Sequence, residues 1–166
     1  MVKTKLIVAA VLAVIVGIWA ISHFSESEEK RIKKRFDLLA QWVSKESAES
    51  AFTIAKKTRH IGTLFAEECR LKAEVALLSG TYAPEEISSY AAQARLQFSE
   101  LSLRFYDLNI EFTQEDVAKV ILTARLSGTS ASGEAVNEIQ ELVSVLRKFD
   151  GEWLFTEFEV VEVLEK

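Results

Sequence analysis

The side chains that could carry out chemistry are few and scattered. Tyr106, Asp107, Glu111 and Glu138 could give or take a proton, Arg104 and Arg125 could hold an anion, His60 could do either, and Cys69 is the only thiol. A general base must sit within hydrogen-bond reach of the proton it removes, and burial must raise its pKa toward neutrality. No spacing among these residues forms a recognisable catalytic set. Two histidines (His23, His60) and one cysteine cannot build a standard zinc site, so neither a metal nor a cofactor is expected. A glycine-rich phosphate loop is also lacking, which removes support for nucleotide binding.

Each of these residues also has a structural reading. Arg104 and Arg125 on adjacent strands could pair with Glu138 or Glu141 across a solvated sheet face. Tyr106 suits the edge of a core, with its hydroxyl reaching water. His60 lies by a helix end, where a cation or a carbonyl-bonding ring is favourable. Asp107-Leu108-Asn109 suits a bulge or kink. Cys69 behaves as a small buried apolar residue, and Glu157, Glu159 and Glu162 as a solvated strand face.

The elements that would position these groups are legible from periodicity. The chain opens with Lys3 and Lys5 and then runs without a polar interruption from Leu6 to Ile21; His23 and Phe24 extend the run weakly. As a helix, residues 6–24 would span roughly 28 Å at 1.5 Å per residue, about the thickness of a bilayer's hydrocarbon core. The expectation is therefore a single-pass membrane anchor or a signal segment over residues 1–25, with the lipid bilayer as partner through residues 6–24. A cleaved signal peptide ending at Ala20-Ile21-Ser22 is the competing reading. The short basic start favours a domain outside the cytoplasm, periplasmic or extracellular. Lys30 to Arg35 also count in the positive-inside rule and pull the other way.

Residues 26–166 read as one α+β domain, large enough to bury a core without disulfides. Ser25 and Glu28 have capping-box spacing, and Ile32, Phe36, Leu39 and Val43 recur at helical intervals over residues 26–45. A second helix is expected over residues 47–58, with Gly62 beyond it as a left-handed cap. Residues 68–75 alternate as a half-buried strand, and Gly80 marks a loop. Pro84-Glu85-Glu86 opens a third helix, whose face carries Ile87, Tyr90, Ala91, Ala94, Phe98 and Leu101. Strands follow over residues 103–112, 117–127, 136–149 and 153–164, with Asp150-Gly151 as a tight hairpin turn. The order is helix, helix, strand, helix and four strands, an antiparallel sheet curved over about three helices.

That order resembles the nuclear transport factor 2-like fold, the cone shared with polyketide-cyclase-like and ketosteroid-isomerase-like domains. The segment from His60 to Leu71 resembles the family's helix end and first strand. The segment Phe149-Asp150-Gly151-Glu152-Trp153-Leu154-Phe155 resembles its final hairpin. The resemblance implies polar groups at the bottom of a cone in those members that are enzymes. Here Tyr106, Asp107 and Glu138 are the weak catalytic candidates, and none matches a family motif residue by residue.

From residue 27 onward there are 24 acidic and 18 basic residues, which argues against nucleic acid as a partner. In the last strand both parities carry apolar residues, with Leu154, Phe158, Val160 and Leu164 against Trp153, Phe155, Val161 and Val163. That pattern predicts two covered faces, one of them by a second copy or another protein. The expected function is a membrane-tethered, non-enzymatic binding or assembly module. The alternative is a small-molecule-binding protein, or an isomerase, dehydratase or cyclase, that uses the cone pocket.

Overall fold

The structure, a computed structural model, describes residues 2–73 and 79–161, with the side chains of residues 2–12 and 18–26 outside that description. Two compact units divide the chain, Met1–Ile32 and Lys33–Lys166. Helix α1 (Val2–Val43) runs through Ser25, so no helix begins there and the capping-box reading fails. Among the described residues, no helix is long and apolar enough to cross a membrane. The expected anchor at residues 6–24 has described side chains only at residues 13–17 and otherwise lies outside the description. The last residues of the expected final strand, 162–164, lie outside it as well.

The larger unit contains the end of α1, helices α2 (Ala51–Gly62) and α3 (Pro84–Leu96), and six strands: β1 (Phe65–Lys72), β2 (Gly80–Tyr82), β3 (Phe98–Gln114), β4 (Val117–Ser130), β5 (Ala135–Phe149) and β6 (Glu152–Val161). The strands form one sheet in the order β2-β1-β6-β5-β4-β3, antiparallel throughout except where β1 runs parallel to β6. The expected α+β architecture holds, with β2 added where a loop was expected.

The helix boundaries follow local chemistry. Ser50 caps α2 by accepting from the Thr53 N–H at 3.2 Å, so the helix starts four residues later than its periodicity suggests. At the other end Thr63, not Gly62, is the C-cap, with right-handed backbone angles. Gly62 is needed for close approach instead. A Cβ there would stand 2.6 Å from Ser88 Oγ and 3.0 Å from the Pro84 carbonyl oxygen, so α2 and α3 cross on this glycine. At the start of α3, the Glu86 carboxylate accepts from the Ala83 N–H at 2.8 Å. The helix stops at Leu96. Phe98 and Leu101, which prolong its apolar spacing, belong to β3 instead. The Asp150-Gly151 turn has positive φ at both residues (48° and 84°), as the sequence predicts for a two-residue hairpin.

Aromatic packing joins α1 to the inner face of the sheet. Phe36 meets Phe105 and Phe155 edge-on with centroids 5.3 and 5.0 Å apart, and Phe65 and Phe158 pack against Phe155 at 5.4 and 5.0 Å. Trp153 and Phe155 are buried.

The register of β6 changes how its apolar residues divide between the two faces. Leu146 lies opposite Phe155 and Val145 opposite Glu157, so Thr156 is an extra residue on β6. This bulge reverses the side-chain parity. Trp153 and Phe155 before it, and Phe158 and Val160 after it, therefore share the inner face, while Glu157 and Glu159 turn outward. On the outer face Glu157 pairs with Arg70 at 3.5 Å and with Lys72 at 2.7 Å, and Lys72 reaches Glu159 at 3.4 Å. The inserted residue thus brings Phe158 and Val160 to the face of Trp153 and Phe155, and leaves Leu154 and Val161 on the outer face.

Candidate functional site

The inner faces of the sheet and the helices line an open cavity of about 700 Å³. Leu39 and Val43 of α1 and Ile61 of α2 form one wall, and Phe65 and Leu71 of β1 continue it. Leu103 and Phe105 of β3, Ala124 of β4, Leu142 of β5 and Phe158 of β6 form the sheet side. Tyr82 of β2, the α3 residues Ile87, Tyr90, Ala91, Gln93 and Ala94, and Gln97 just beyond the end of α3 form the remainder. The α3 residues follow helical spacing, so Tyr90, Gln93, Ala94 and Gln97 present one stripe to the cavity. The sheet residues follow strand alternation, and register aligns Phe105 with Ala124 and Leu142 with Leu122. The Tyr82 and Tyr90 rings meet edge-on, with centroids 5.5 Å apart.

Among its described lining residues the cavity has no Asp, Glu, Lys, Arg or His. Its polar groups are two phenol hydroxyls and two carboxamides. The arrangement can hold an apolar body by burial and orient it with a few uncharged hydrogen bonds. Proton transfer by the protein in this cavity would have to run through a tyrosine hydroxyl.

The one basic residue of α3 is already committed. Arg95, with its side chain 2% exposed, lies under α3 and not in the cavity wall. Its Nη1 donates to the carbonyls of Trp42, Val43 (3.0 Å) and Ser44 (2.9 Å), and its Nη2 to Glu49. Lys57 donates to the Ser44 carbonyl at 3.2 Å and to the other Glu49 oxygen. The cluster satisfies carbonyls at the end of α1, which have no partners within the helix. Burial alone would push the Glu49 carboxyl up. The hydrogen bond from Lys57 and the charges of Arg95 and Lys57 outweigh it and hold Glu49 below its ordinary value.

The structure does not bring the sequence candidates together. Tyr106 pairs with Thr123 across the sheet, opposite in parity to Phe105, so it faces outward and is exposed. Asp107 has a φ of 53° and sits in a bulge between Tyr106 and Asn109, exposed, as the kink reading expects. Glu138 stands opposite Leu126 on β4, four residues beyond Leu142 on the same strand; it is exposed and does not line the cavity. Glu111 is exposed opposite Lys119. Arg104 lies directly opposite Arg125, and Arg125 Nε donates to Asn137 Oδ1 at 2.8 Å instead of pairing with Glu138 or Glu141. His60 stacks on Trp42, with centroids 5.0 Å apart.

Tyr82, Gln93 and Gln97 were not singled out from sequence. Gln93 and Gln97 carried a usable signal, since they fall three and seven residues after Tyr90 on an amphipathic helix. Tyr82 carried none, because a three-residue strand is too short for alternation to register.

Cys69 is fully buried, and burial, with the nearby Glu157 charge adding, pushes its thiol up to about 12. The folded protein is expected to resist thiol-specific reagents at pH 8 and to label stoichiometrically only in denaturant, which a spectrophotometric thiol assay reads directly.

No family model matches the chain, and no curated protein matches it. Solved structures do. A scytalone dehydratase-like protein from Novosphingobium aromaticivorans superposes with a TM-score of 0.70 at 15% identity, covering 86% of this chain and 89% of that one. The hexachlorocyclohexane dehydrochlorinase LinA-type3 from Novosphingobium barchaimii gives 0.65 at 13% identity, covering 82% and 87%. The Kfla4162 protein from Kribbella flavida gives 0.67 at 10% identity, covering 82% and 91%. These neighbours correct the expectation of a non-enzymatic binding or assembly module, because structures of this shape include a dehydrochlorinase and a dehydratase-like protein. The described domain has the nuclear transport factor 2-like cone fold.

Proposed function

We propose that the cone cavity is a substrate site for a small, largely apolar molecule, and that the chain belongs with the dehydratase and isomerase type of small-molecule protein. The observation that carries this reading is the cavity itself. It holds about 700 Å³ lined by leucine, isoleucine, alanine and phenylalanine, where a structural cone would be filled by its own side chains. The dehydrochlorinase and dehydratase-like neighbours support chemistry there over storage. An elimination needs a proton acceptor. The described lining supplies no ionised base for that role, so the acceptor would be water, while the Tyr82 and Tyr90 hydroxyls can donate a hydrogen bond or proton to a leaving oxygen.

The apolar run at residues 6–24 and the lysines before it support a tether that holds this domain at a membrane, on the side away from the cytoplasm.

The test is a methyl NMR titration of the full chain with 2-naphthalenemethanol. Saturable shifts are expected at the methyls of Ala91, Ala94, Leu103, Ala124 and Leu142, while Ile121 and Ile139 on the outer face stay unmoved. Shifts confined to the outer face, or no saturation, would sink the reading.

A further inference from the structure

We infer that the part of the ligand entering the cone is uncharged: a compact ring or alicyclic body with one neutral hydroxyl or carbonyl group, held at the stripe Tyr90, Gln93 and Gln97. This inference rests on the cavity being the substrate site and specifies what that site accepts.

Two independent observations lead to it. The first is the lining. Its polar atoms are phenol hydroxyls and carboxamides, and its described residues hold no charge that could pair with an ionised ligand. An ionised group taken into such a site gives up its water without gaining a counter-charge, which costs far more than burying a hydroxyl that finds a hydrogen bond.

The second is where the charges of α3 are fixed. Arg95 is the only base of that helix, and its guanidinium is bound to three carbonyls and the Glu49 carboxylate. It cannot turn to an anion in the cavity without leaving Glu49 and the end of α1 short of partners. One turn before Tyr90, the Glu86 carboxylate is pinned by the Ala83 N–H at 2.8 Å. Lys45, beside the end of the stripe, is likewise bound to the carbonyls of Arg95 (3.2 Å) and Phe98 (2.5 Å), so a ligand carboxylate or phosphate approaching Tyr90 meets the Glu86 charge and no uncommitted base among the described lining residues.

The neutral end has somewhere to go. Gln93 Nε2 makes one long contact to Ser89 Oγ at 3.4 Å, which leaves its carbonyl oxygen to accept. Tyr90, 54% exposed, lies on the same stripe, and its ring is braced edge-on by Tyr82. A ligand hydroxyl can donate to one of these and accept from the other. A flat or alicyclic body fits the Leu103, Phe105, Ala124 and Leu142 side of the cavity.

Three probes of nearly equal shape make the test: 2-naphthalenemethanol, 2-naphthoate and 2-naphthylmethylammonium, each titrated into the full chain at pH 7.5 and followed at the Leu142 and Ala124 methyls. The alcohol is expected to bind at least about tenfold tighter than either ion. Tyr90→Phe should weaken the alcohol by about threefold to tenfold and leave naphthalene itself unchanged. Equal or tighter binding of naphthoate or of the ammonium overturns the inference while leaving the cavity reading intact. An unchanged alcohol affinity in Tyr90→Phe overturns the assigned position of the polar end. Failure of all three probes and of naphthalene to shift the cavity methyls overturns the cavity reading and the inference with it.

Discussion

Replacing Arg95 by methionine is expected to destabilise the domain by about 3–5 kcal/mol, the usual consequence of removing one partner from a buried ion pair. In a unit of this size that corresponds to a fall in Tm of roughly 10–20 °C. The physical loss is specific. Glu49, with its side chain 4% exposed, would lose one of its two cations and keep Lys57 and the Glu46 backbone, and the carbonyls of Trp42 and Val43 would lose their donor. Arg95→Lys should rescue little, because one ammonium cannot span three carbonyls and a carboxylate. The double variant Arg95→Met with Glu49→Met should recover part of the loss, since an apolar pair leaves no stranded charge. Thermal denaturation followed by circular dichroism measures all of these, and an Arg95→Met variant melting within about 2 °C of the parent would refute the account.

The same cluster sets a pH dependence. Glu49 is an acid whose folded value lies below its ordinary 4.5. Its contribution to stability is therefore present above pH 4.5 and is lost as the pH falls through the lower folded value. Stability should drop on acidification below that point, and Glu49→Gln, though less stable at pH 7, should show a flatter profile there.

Ala94→Trp is expected to have the largest functional effect with the least structural cost. Ala94 is exposed on α3 yet lines the cavity, so an indole can enter the empty space without displacing packed atoms. Affinity for 2-naphthalenemethanol should fall by about a hundredfold or more, while stability stays within about 0.5 kcal/mol, as for a surface substitution. Retained binding in a folded Ala94→Trp protein would place the ligand elsewhere. A comparable substitution at outer-face Ile139, which is 55% exposed, should leave binding unchanged and serves as the control.

Local rules and tertiary rules divide this molecule in an instructive way. Helix α3 was legible because Pro84, Glu85 and Glu86 open it and its apolar stripe has helical spacing; those signals act within a few residues. The β5–β6 hairpin was legible because Asp150-Gly151 supplies two residues that tolerate positive φ. The kink at Asp107 was suggested by Asp-Leu-Asn for the same reason. The alternation in β4 announced a strand half buried against a core.

The cavity was not legible, because an empty space is set by how far apart packed elements stand, and no periodicity encodes that distance. The roles of Arg95, Glu49 and Lys57 were hidden because they come from three separate segments and meet only once α1, α2 and α3 are packed. The inserted Thr156 defeated the parity reading of β6, since a bulge appears only when one strand is registered against its neighbour. The sequence by itself determined the elements other than the short β2, their order and the resemblance to a cone fold, because those depend on short-range pattern and turn chemistry. The tertiary structure alone decided that Tyr106, Asp107 and Glu138 lie away from the cavity while Tyr82, Tyr90, Gln93 and Gln97 line it, because which face a residue presents depends on register and on packing between distant segments.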